Sequence, residues 1–425
     1  MKLVIRNGKL INPAGNINGK TALIIEDGII TEITENPDIS GAEVIDAEGM
    51  IVAPGFIDIH VHFREPGYEH KEDIMTGLNA AAAGGFTSVC TMPNTNPVPD
   101  NAETVKLMLE KAAKGNGVKL YPVASATKGI KGIEMSEPDE LKKAGAVALS
   151  DDGRPVADTA LLKKIMEKGR SCGMKYVSHS EDLYLAEGGQ MNEGHFSAVY
   201  GMKGISVVGE ASQIARDCML AEYLDVPLHI SHVSAKMSVD MIRYFKSRGV
   251  KVTCETAPHY ITLTDEAVRK FGTNAKINPP LRTENDRLAM IEALKEGVID
   301  AIATDHAPHH QKEKEVEFSS APCGIVGLET ALPLVLMLYH EGILTIERVV
   351  ELFTAGYRIM GVPGGIIEKG AIADITIFDP DRQWTIDKDR FMSKSRNTPF
   401  HGFNVQGAVF ATIADGKIIY KRDFR

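Results

Sequence analysis

Phe56-Ile57-Asp58-Ile59-His60-Val61-His62-Phe63-Arg64 alternates apolar with polar side chains. Side chains of a strand point to its two faces in turn. The pattern predicts a buried strand with Asp58, His60, His62 and Arg64 on one face, neighbours about 7 Å apart. Two imidazoles so placed can chelate one divalent cation. The guanidinium beyond them suits an anionic ligand group, which it can hold in bidentate fashion. Ordinary hydrogen bonds could also satisfy two such histidines, so the rest of the chain decides between the readings.

Outward from this stretch, short apolar runs alternate with helical patterns. Strands are expected over 56–62, 86–92, 118–124, 145–150, 174–179, 227–232, 250–255 and 299–305. Most are rich in Val, Ile or Ala, as parallel strands covered on both faces are. Helical patterns fill the gaps, as from Asp158 to Cys172 and from Val208 to Leu224. Eight β/α units predict an α/β fold of the (β/α)8 TIM-type barrel kind, with its active site at the C-terminal strand ends. An open doubly wound sheet is the competing arrangement. No Gly-x-Gly-x-x-Gly follows an early strand, so a dinucleotide site has no support.

The two chain ends read differently. Leu3-Val4-Ile5, Ala22-Leu23-Ile24-Ile25 and Ile29-Ile30-Thr31-Glu32-Ile33 are β-type runs, with turn signals at Asn7-Gly8 and Asp27-Gly28. Ala373 to Phe378, Gly407 to Ile413 and Lys417 to Tyr420 repeat the pattern, with Asp415-Gly416 as a turn. Neither end is large enough for its own core. Residues 1–52 and 366–425 are therefore expected to form one composite β-sandwich-like domain beside a barrel over 53–365.

Composition narrows the function. The chain has 425 residues, 44% hydrophobic and 24% charged, with a formal net charge of -10. This is ordinary globular composition. No Lys/Arg cluster suggests a nucleic-acid partner, and no apolar run reaches membrane-spanning length. The N-terminus enters a strand pattern without an apolar signal core. Five scattered cysteines without a Cys-x-x-Cys fit reduced thiols and a cytoplasmic location.

Ligand-type residues fall at the expected strand ends. These include His60 and His62, Asn94, Asp151 and Asp152, His179, His229 and His232, and Asp305 and His306. Several such groups at successive strand ends are hard to explain as isolated caps. Parity selects among them. Ala148, Ser150 and Asp152 share a face, as do Ala301, Ala303 and Asp305, and small residues suit a crowded barrel interior. Asp152 should therefore point inward rather than Asp151. His232 ends the sixth strand, while His229 falls on the other face and reads as structural. Catalytic zinc sites use three protein ligands plus water. Four histidines and two aspartates suit two metals sharing a carboxylate, a centre that can polarise a carbonyl and supply hydroxide at neutral pH.

Gly55 to Gly67, with its Asp-Ile-His-Val-His-Phe-Arg core, resembles the signature of the amidohydrolase superfamily and of dihydroorotases in particular. Met92-Pro93-Asn94-Thr95-Asn96-Pro97, Ile277 to Arg282, Ala303 to His309 and Gly324 to Thr330 strengthen the likeness, which spans essentially the whole chain. The resemblance implies a zinc enzyme, with two ions per chain, that interconverts N-carbamoyl-L-aspartate and L-dihydroorotate in pyrimidine biosynthesis. His60, His62 and Asp305 would hold one zinc, and His179 and His232 the other. Asp152 would bridge them, where hydantoinases, dihydropyrimidinases and allantoinases carry a carboxylated lysine. Bacterial long-chain dihydroorotases have the aspartate.

The resemblance also implies the substrate contacts. Arg64, Asn94 and His309 would grip the substrate carboxylate, beside His62. Asn278 and the backbone around Cys323 and Gly324 would meet the ring. Cys323 departs from relatives that carry Phe there, which changes the fine shape of the ring pocket. Asp305 would double as general acid–base. Two other readings compete. One is a non-catalytic dihydroorotase-like scaffold for aspartate transcarbamoylase, against which all six ligand positions are filled. The other is a hydantoinase or allantoinase, against which stand Arg64, Asn94 and Asp152. Self-association and a transcarbamoylase partner are both compatible with the sequence. Residues 306–323, with the charged run His310 to Glu317, are expected to form a mobile loop over the site. A solvated surface loop is the alternative.

Overall fold

Ile51–Pro54 and Phe56–Val61 are two strands separated only by Gly55. The computed structural model describes residues 2–423, so Met1, Phe424 and Arg425 of the terminal β-segments lie outside it. At Gly55 the chain passes from one sheet into another at close quarters. A Cβ there would stand 2.1–2.8 Å from side-chain atoms of Thr87. Only glycine lets the two strands follow each other so tightly.

The strand before Gly55 belongs to a six-stranded sheet made from both chain ends. Its order is Lys417–Lys421, Asn404–Ala414, Ile375–Thr385, Ile51–Pro54, Lys9–Asn12, Ile17–Lys20. A four-stranded sheet, ordered Ile29–Thr34, Ala22–Glu26, Lys2–Arg6, Glu43–Asp46, lies with it. Leu3, Ile5, Leu23, Ile25 and Val52 share one buried cluster with Ile367, Ile375, Ile377, Ala411 and Ile413. Each end thus supplies apolar surface that the other covers, as expected for segments too small to bury a core alone.

The strand after Gly55 opens an eight-stranded parallel sheet. It continues through Phe86–Thr91, Lys119–Ser125, Ala148–Ser150, Lys175–Ser178, Leu228–Ile230, Val252–Thr256 and Ala301–Ile302. The expected strands are all present, in sequential order, as a nearly closed barrel. Closure is slight. Val61 and His306 form an isolated parallel bridge, and His62 N donates to His306 O at 2.9 Å. The helices expected near 158–172 and 208–224 run over Thr159–Ser171 and Val207–Leu224. Asp158 caps the first by accepting from Ala160 N and Leu161 N.

Three strands are shorter than the sequence suggests, each for a backbone reason. Gly145 ends the preceding helix at φ 112°, so the fourth strand starts only at Ala148. His232 and Asp305 have φ of 36° and 47°, so the sixth and eighth strands lose their extended form before those residues. Strict alternation in the first strand also fails. Asp58 pairs with Val89 and Val61 with Thr91, so this strand holds one more residue than its neighbour over that step. Ile57 and Ile59 consequently pack inside the barrel with Val123, Ala148, Val177, Ala301 and Ala303. Val61 and Phe63 join the outer core between strands and helices. The bulge re-aims the strand, so that apolar residues fill the lower barrel and histidines the upper.

The helix Ile346–Met360 contributes to the lower filling through Ala355, Tyr357 and Ile359. Gly356 lets it approach the first strand. A Cβ there would meet Ile59 Cγ2 at 2.6 Å and Ile57 Cγ2 at 2.7 Å. Gly356→Val should lower stability by about 1–3 kcal/mol through overpacking. Thermal unfolding measured beside the unaltered protein checks this, and an unchanged midpoint would show that the helix can shift without loss.

Candidate active site

His60, His62, Asp152, His179, His232 and Asp305 converge at the C-terminal mouth of the barrel, and all are buried. His60, His62 and Asp305 offer ligand atoms within 4.8 Å of one another, and so do His60, Asp152 and His232. His60 belongs to both groups. His179 Nδ1 adjoins the second group, 2.9 Å from His232 Nε2 and 3.4 Å from Asp152 Oδ1. Asp152 reaches both sides. Its Oδ1 lies 3.4 Å from His60 Nε2, and its Oδ2 lies 3.6 Å from His62 Nε2. Asp305 Oδ1 is 3.0 Å from His62 Nε2.

The protonation pattern of this cluster suits metal ions. His62 Nδ1 meets the amide oxygen of Asn94 at 2.7 Å, which can only accept, so that nitrogen carries the proton. Burial holds the His62 pKa below its ordinary value, leaving a neutral ring whose bare Nε2 faces the carboxylate of Asp305. Two acceptors face each other there, and a cation between them resolves the conflict. Both nitrogens of His60, Asp152 Oδ1, His179 Nε2 and His232 Nδ1 are buried without hydrogen-bond partners. Unsatisfied buried polar atoms are costly. Imidazole nitrogens and carboxylate oxygens are zinc donors. The two His/Asp groups thus form a binuclear metal site of the zinc type.

The surrounding groups orient these donors. Glu255 projects from the seventh strand behind two of the histidines. Its Oε1 accepts from His232 N at 3.0 Å and lies 3.5 Å from His60 Nδ1. Its Oε2 pairs with His229 Nε2. Burial opposes ionisation of Glu255, but His229 and His60 outweigh it and hold the carboxyl well below its usual range. Asp58 ties the first strand to the eighth, accepting from Thr304 N at 3.2 Å. Burial pushes the Asp58 pKa up to about 7. Glu181 lies 3.9 Å from His179 Nε2. The sequence reading missed Glu255 and Glu181. A lone Glu inside the apolar run of the seventh strand was the available signal for the first.

Residues set aside by parity stay outside the cluster. His229 bonds Thr253 and Glu255, while Asp151 accepts from Ser125 Oγ at 3.0 Å and Thr127 N at 2.9 Å. His306 Nδ1 accepts from Gly327 N at 3.1 Å, holding the following loop.

The expected substrate residues gather on one side. Arg64 is buried with φ 61°, and its Nε donates to Pro308 O at 3.1 Å. Burial lowers its pKa to about 10, so it remains a cation at neutral pH. Its Nη2 lies 3.4 Å from His309 Nε2. His309 Nε2 also donates to the carbonyl of Cys323 at 2.9 Å, and Lys71 Nζ stands 3.3 Å from its Nδ1. Burial, then the charges of Arg64 and Lys71, keep this imidazole neutral. Asn278 Oδ1 is buried and unpartnered. The Cys323 side chain is exposed, and Gly324 follows it at φ 153°. Lys71 was not singled out from the sequence.

The segment expected to be a mobile loop contains a short helix, Gln311–Lys314, and is held from below. Lys314 is buried, its Nζ donating to Pro322 O at 2.8 Å and Gly324 O at 3.2 Å. Lys276 Nζ donates to Phe318 O at 2.6 Å. The charged run is therefore not simply solvated: Lys314 within it, and Lys276 from another part of the chain, bind main-chain carbonyls of the segment.

Comparison with known proteins decides the family. A model described as Dihydro-orotase-like matches residues 49–238. A dihydroorotase of Acetivibrio thermocellus is 50% identical over 421 residues, covering 99% of each chain. One of Geobacter metallireducens is 51% identical over 424 residues, covering 99% of this chain and 100% of the relative. The chain belongs to the dihydroorotase family. Solved hydantoinase and dihydropyrimidinase structures share its fold. An L-hydantoinase from Arthrobacter aurescens superposes with a TM-score of 0.88 at 25% identity, covering 99% of this chain and 96% of that one. A dihydropyrimidinase from Brevibacillus agri gives 0.86 at 25%, covering 99% and 95%. Among the described residues no helix is long and apolar enough to cross a membrane.

Outer groups that orient metal ligands commonly contribute 10–100-fold to metal affinity. Glu255→Gln should weaken zinc binding on the order of 10–100-fold while the barrel stays folded. Competition with a chelator, followed by circular dichroism, separates the two effects, and undiminished affinity would show that Glu255 serves His229 alone.

Proposed function

We propose that this protein is a zinc-dependent dihydroorotase of pyrimidine biosynthesis, closing N-carbamoyl-L-aspartate to L-dihydroorotate and opening it again. One observation carries the reading. An intrinsic carboxylate, Asp152, reaches both His/Asp groups, beside a buried arginine, in a chain half identical to dihydroorotases over nearly its full length. A hydantoin or allantoin has no carboxylate to meet Arg64. Turnover of dihydroorotate compared with hydantoin and allantoin tests the choice. Loss of the metal donors would favour a scaffold role, and here the donors are together.

Bound zinc supplies a Lewis acid for the amide carbonyl and a nucleophilic water at neutral pH. The chain's own residues do the rest. Arg64 and His309 meet the substrate carboxylate, the arginine by charge and the neutral imidazole by turning its Nε2–H from the carbonyl of Cys323 to the incoming carboxylate. Asn94 spends its oxygen on His62, so its Nδ2 is the atom it offers that carboxylate. Asn278 and the main chain at Cys323 and Gly324 face the ring. Asp305 moves the proton. Burial works against its charge, but the surrounding imidazoles outweigh it and hold its pKa at about 2, keeping it a base at neutral pH. It takes the proton of the attacking water and passes it to the departing amide nitrogen. Positioned proton transfer of this kind contributes typically ~10²–10⁴-fold.

We also divide the chain into a terminal β-domain, 1–52 with 366–425, and a barrel over 53–365. The sheet and core shared by both ends support that division. A cytoplasmic location is supported by the five free cysteines. Self-association and association with an aspartate transcarbamoylase are read from the mass of the purified protein, alone and mixed with the transcarbamoylase.

Replacing Arg64 removes a charge-assisted contact. In Arg64→Met, kcat/KM for dihydroorotate should fall on the order of 100-fold. Dihydrouracil, which lacks the carboxylate, should lose far less. Equal losses on both would mean that Arg64 acts structurally. Asp305→Asn should nearly abolish turnover while a dihydroorotate analogue still binds. Kinetics with zinc content measured alongside check this, and near-normal kcat with full zinc would assign the proton step elsewhere.

A further inference from the structure

The barrel closes weakly between its first and eighth strands, and the substrate residues Arg64 and His309 lie on either side of that seam. Among the described residues one isolated bridge, with its His62 N to His306 O bond, joins their main chains there, and the Asp58 side chain adds a tie to Thr304 N. A segment from far along the chain, residues 392–397, crosses over the same seam. On the first-strand side, Lys394 N donates to Glu72 Oε1 at 3.0 Å, and Ser395 Oγ donates to Lys71 O at 2.6 Å. Lys394 Nζ donates to Glu69 O at 2.7 Å. On the eighth-strand side, Met392 N and Ser393 N donate to the carboxylate of Glu329 at 2.9 and 3.0 Å.

At the end of this segment stands Asn397, 3% exposed. Its Oδ1 accepts from His309 N at 3.0 Å. Its Nδ2 donates to Ala307 O and to Gly324 O, each at 3.0 Å. Its main-chain oxygen accepts from Val326 N at 3.0 Å. One residue therefore binds both feet of the loop between Ala307 and Gly324, and that loop carries His309 and ends at the main chain around Cys323 and Gly324. Its amide is fully used: one acceptor for the amide that His309 needs to donate, two donors for two carbonyls. No other side-chain shape does this. An aspartate would turn a carboxylate oxygen toward two carbonyls, and an alanine would leave His309 N and Ala307 O unpaired in a buried place, with Gly324 O held by Lys314 Nζ alone.

We propose that Asn397 is a positioning residue for substrate binding, clasping the two feet of the 307–324 loop so that His309 and the Cys323–Gly324 main chain face the ligand beside Arg64. It touches no reacting atom. The proposal rests on the dihydroorotase reading for its substrate, but the clasp itself does not. The terminal segment thus takes part in the active site without entering it, and the barrel's weakest seam is where it acts. Displacement of a binding group by about 1 Å can cost on the order of 100-fold.

The test uses the full-length zinc-loaded protein. In Asn397→Ala and Asn397→Asp, KM for dihydroorotate should rise about tenfold or more, with kcat falling less and zinc content unchanged. Protease cleavage within 311–321 should quicken in both variants. A merely structural role would lower kcat, zinc content and folding together and leave KM alone. Hydrogen exchange on the unaltered protein gives a second measurement that needs no variant: the amides of His309 and Val326 should be protected and should open together. Unchanged KM in folded Asn397→Ala, or free exchange at His309 in the unaltered protein, overturns the proposal. If the unaltered protein fails to turn over dihydroorotate, the substrate reading falls. Protection at His309 that is lost in Asn397→Ala then still supports the clasp, and its absence still overturns it.

Discussion

Two carboxylates, Asp152 and Asp305, are buried at the mouth of the barrel with imidazoles rather than water around them. Burying a charge without a partner costs several kcal/mol even after relaxation. The neighbouring rings cannot all be that partner, because His62 is kept neutral by burial and gives its one proton to Asn94. Against the effect of burial, without metal, Asp152 and its carboxylate neighbours raise the pKa of His60 and His179 so that these rings can carry the balancing charge, and metal ions take that place when bound. The surrounding architecture follows from this constraint. Five strand ends must bring the six donors together, outer carboxylates must fix the ring tautomers, and the barrel must be rigid enough to keep the donors from separating.

Rigidity is distributed unevenly. The lower barrel is filled by Ile57, Ile59, Val123, Ala148, Val177, Ala301 and Ala303, and helix residues close it. Filling of this kind resists deformation, because interiors are packed like organic crystals. The upper barrel is polar and holds residues in uncommon backbone conformations. Arg64, His232 and Asp305 all have positive φ. Such conformations persist only where surrounding structure determines them, and they cluster at functional sites. Here the determining contacts are identifiable: Glu255 at His232, Pro308 O at Arg64, and Asp58 beside Thr304 just before Asp305.

The substrate side follows a different logic from the metal side. Its cations are Arg64 and Lys71, and its neutral donor is His309, set in a chain whose net charge is -10. Local charge must attract an anionic substrate against an unfavourable overall field. On the function proposed above, burying Arg64 would do this, since low dielectric strengthens the pairing with a carboxylate. The nearby loop is held by Lys314 and Lys276 through main-chain carbonyls rather than by apolar packing. Polar ties of this sort can break and re-form in water, which suits a segment beside a ligand entrance.

Much of this was legible in the sequence. Alternation and apolar runs located all eight barrel strands, and β-type runs with turn signals located six strands of the terminal sheets, though not Lys9–Asn12, Ile17–Lys20, Glu43–Asp46 or Ile51–Pro54. His60, His62, Asp152, His179, His232 and Asp305 could be picked out by type and by position at strand ends, because side-chain parity follows from backbone geometry alone. Asp152 was separable from Asp151, and His232 from His229, on that ground. Tertiary structure decided the rest, since it depends on contacts between segments that the sequence leaves far apart. The bulge near His60, which sends Ile57 and Ile59 into the barrel, exists because the neighbouring strand is one residue shorter there. The shortened eighth strand follows from the positive φ at Asp305. Glu255 gains its role only when the first strand is brought across the barrel to face the sixth and seventh, and Asn397 gains its own only when residues 307, 309, 324 and 326 are brought beneath it. Periodicity reports what a residue's own backbone does; hydrogen bonds across 88 residues, as from His309 to Asn397, are visible only once the chain has folded.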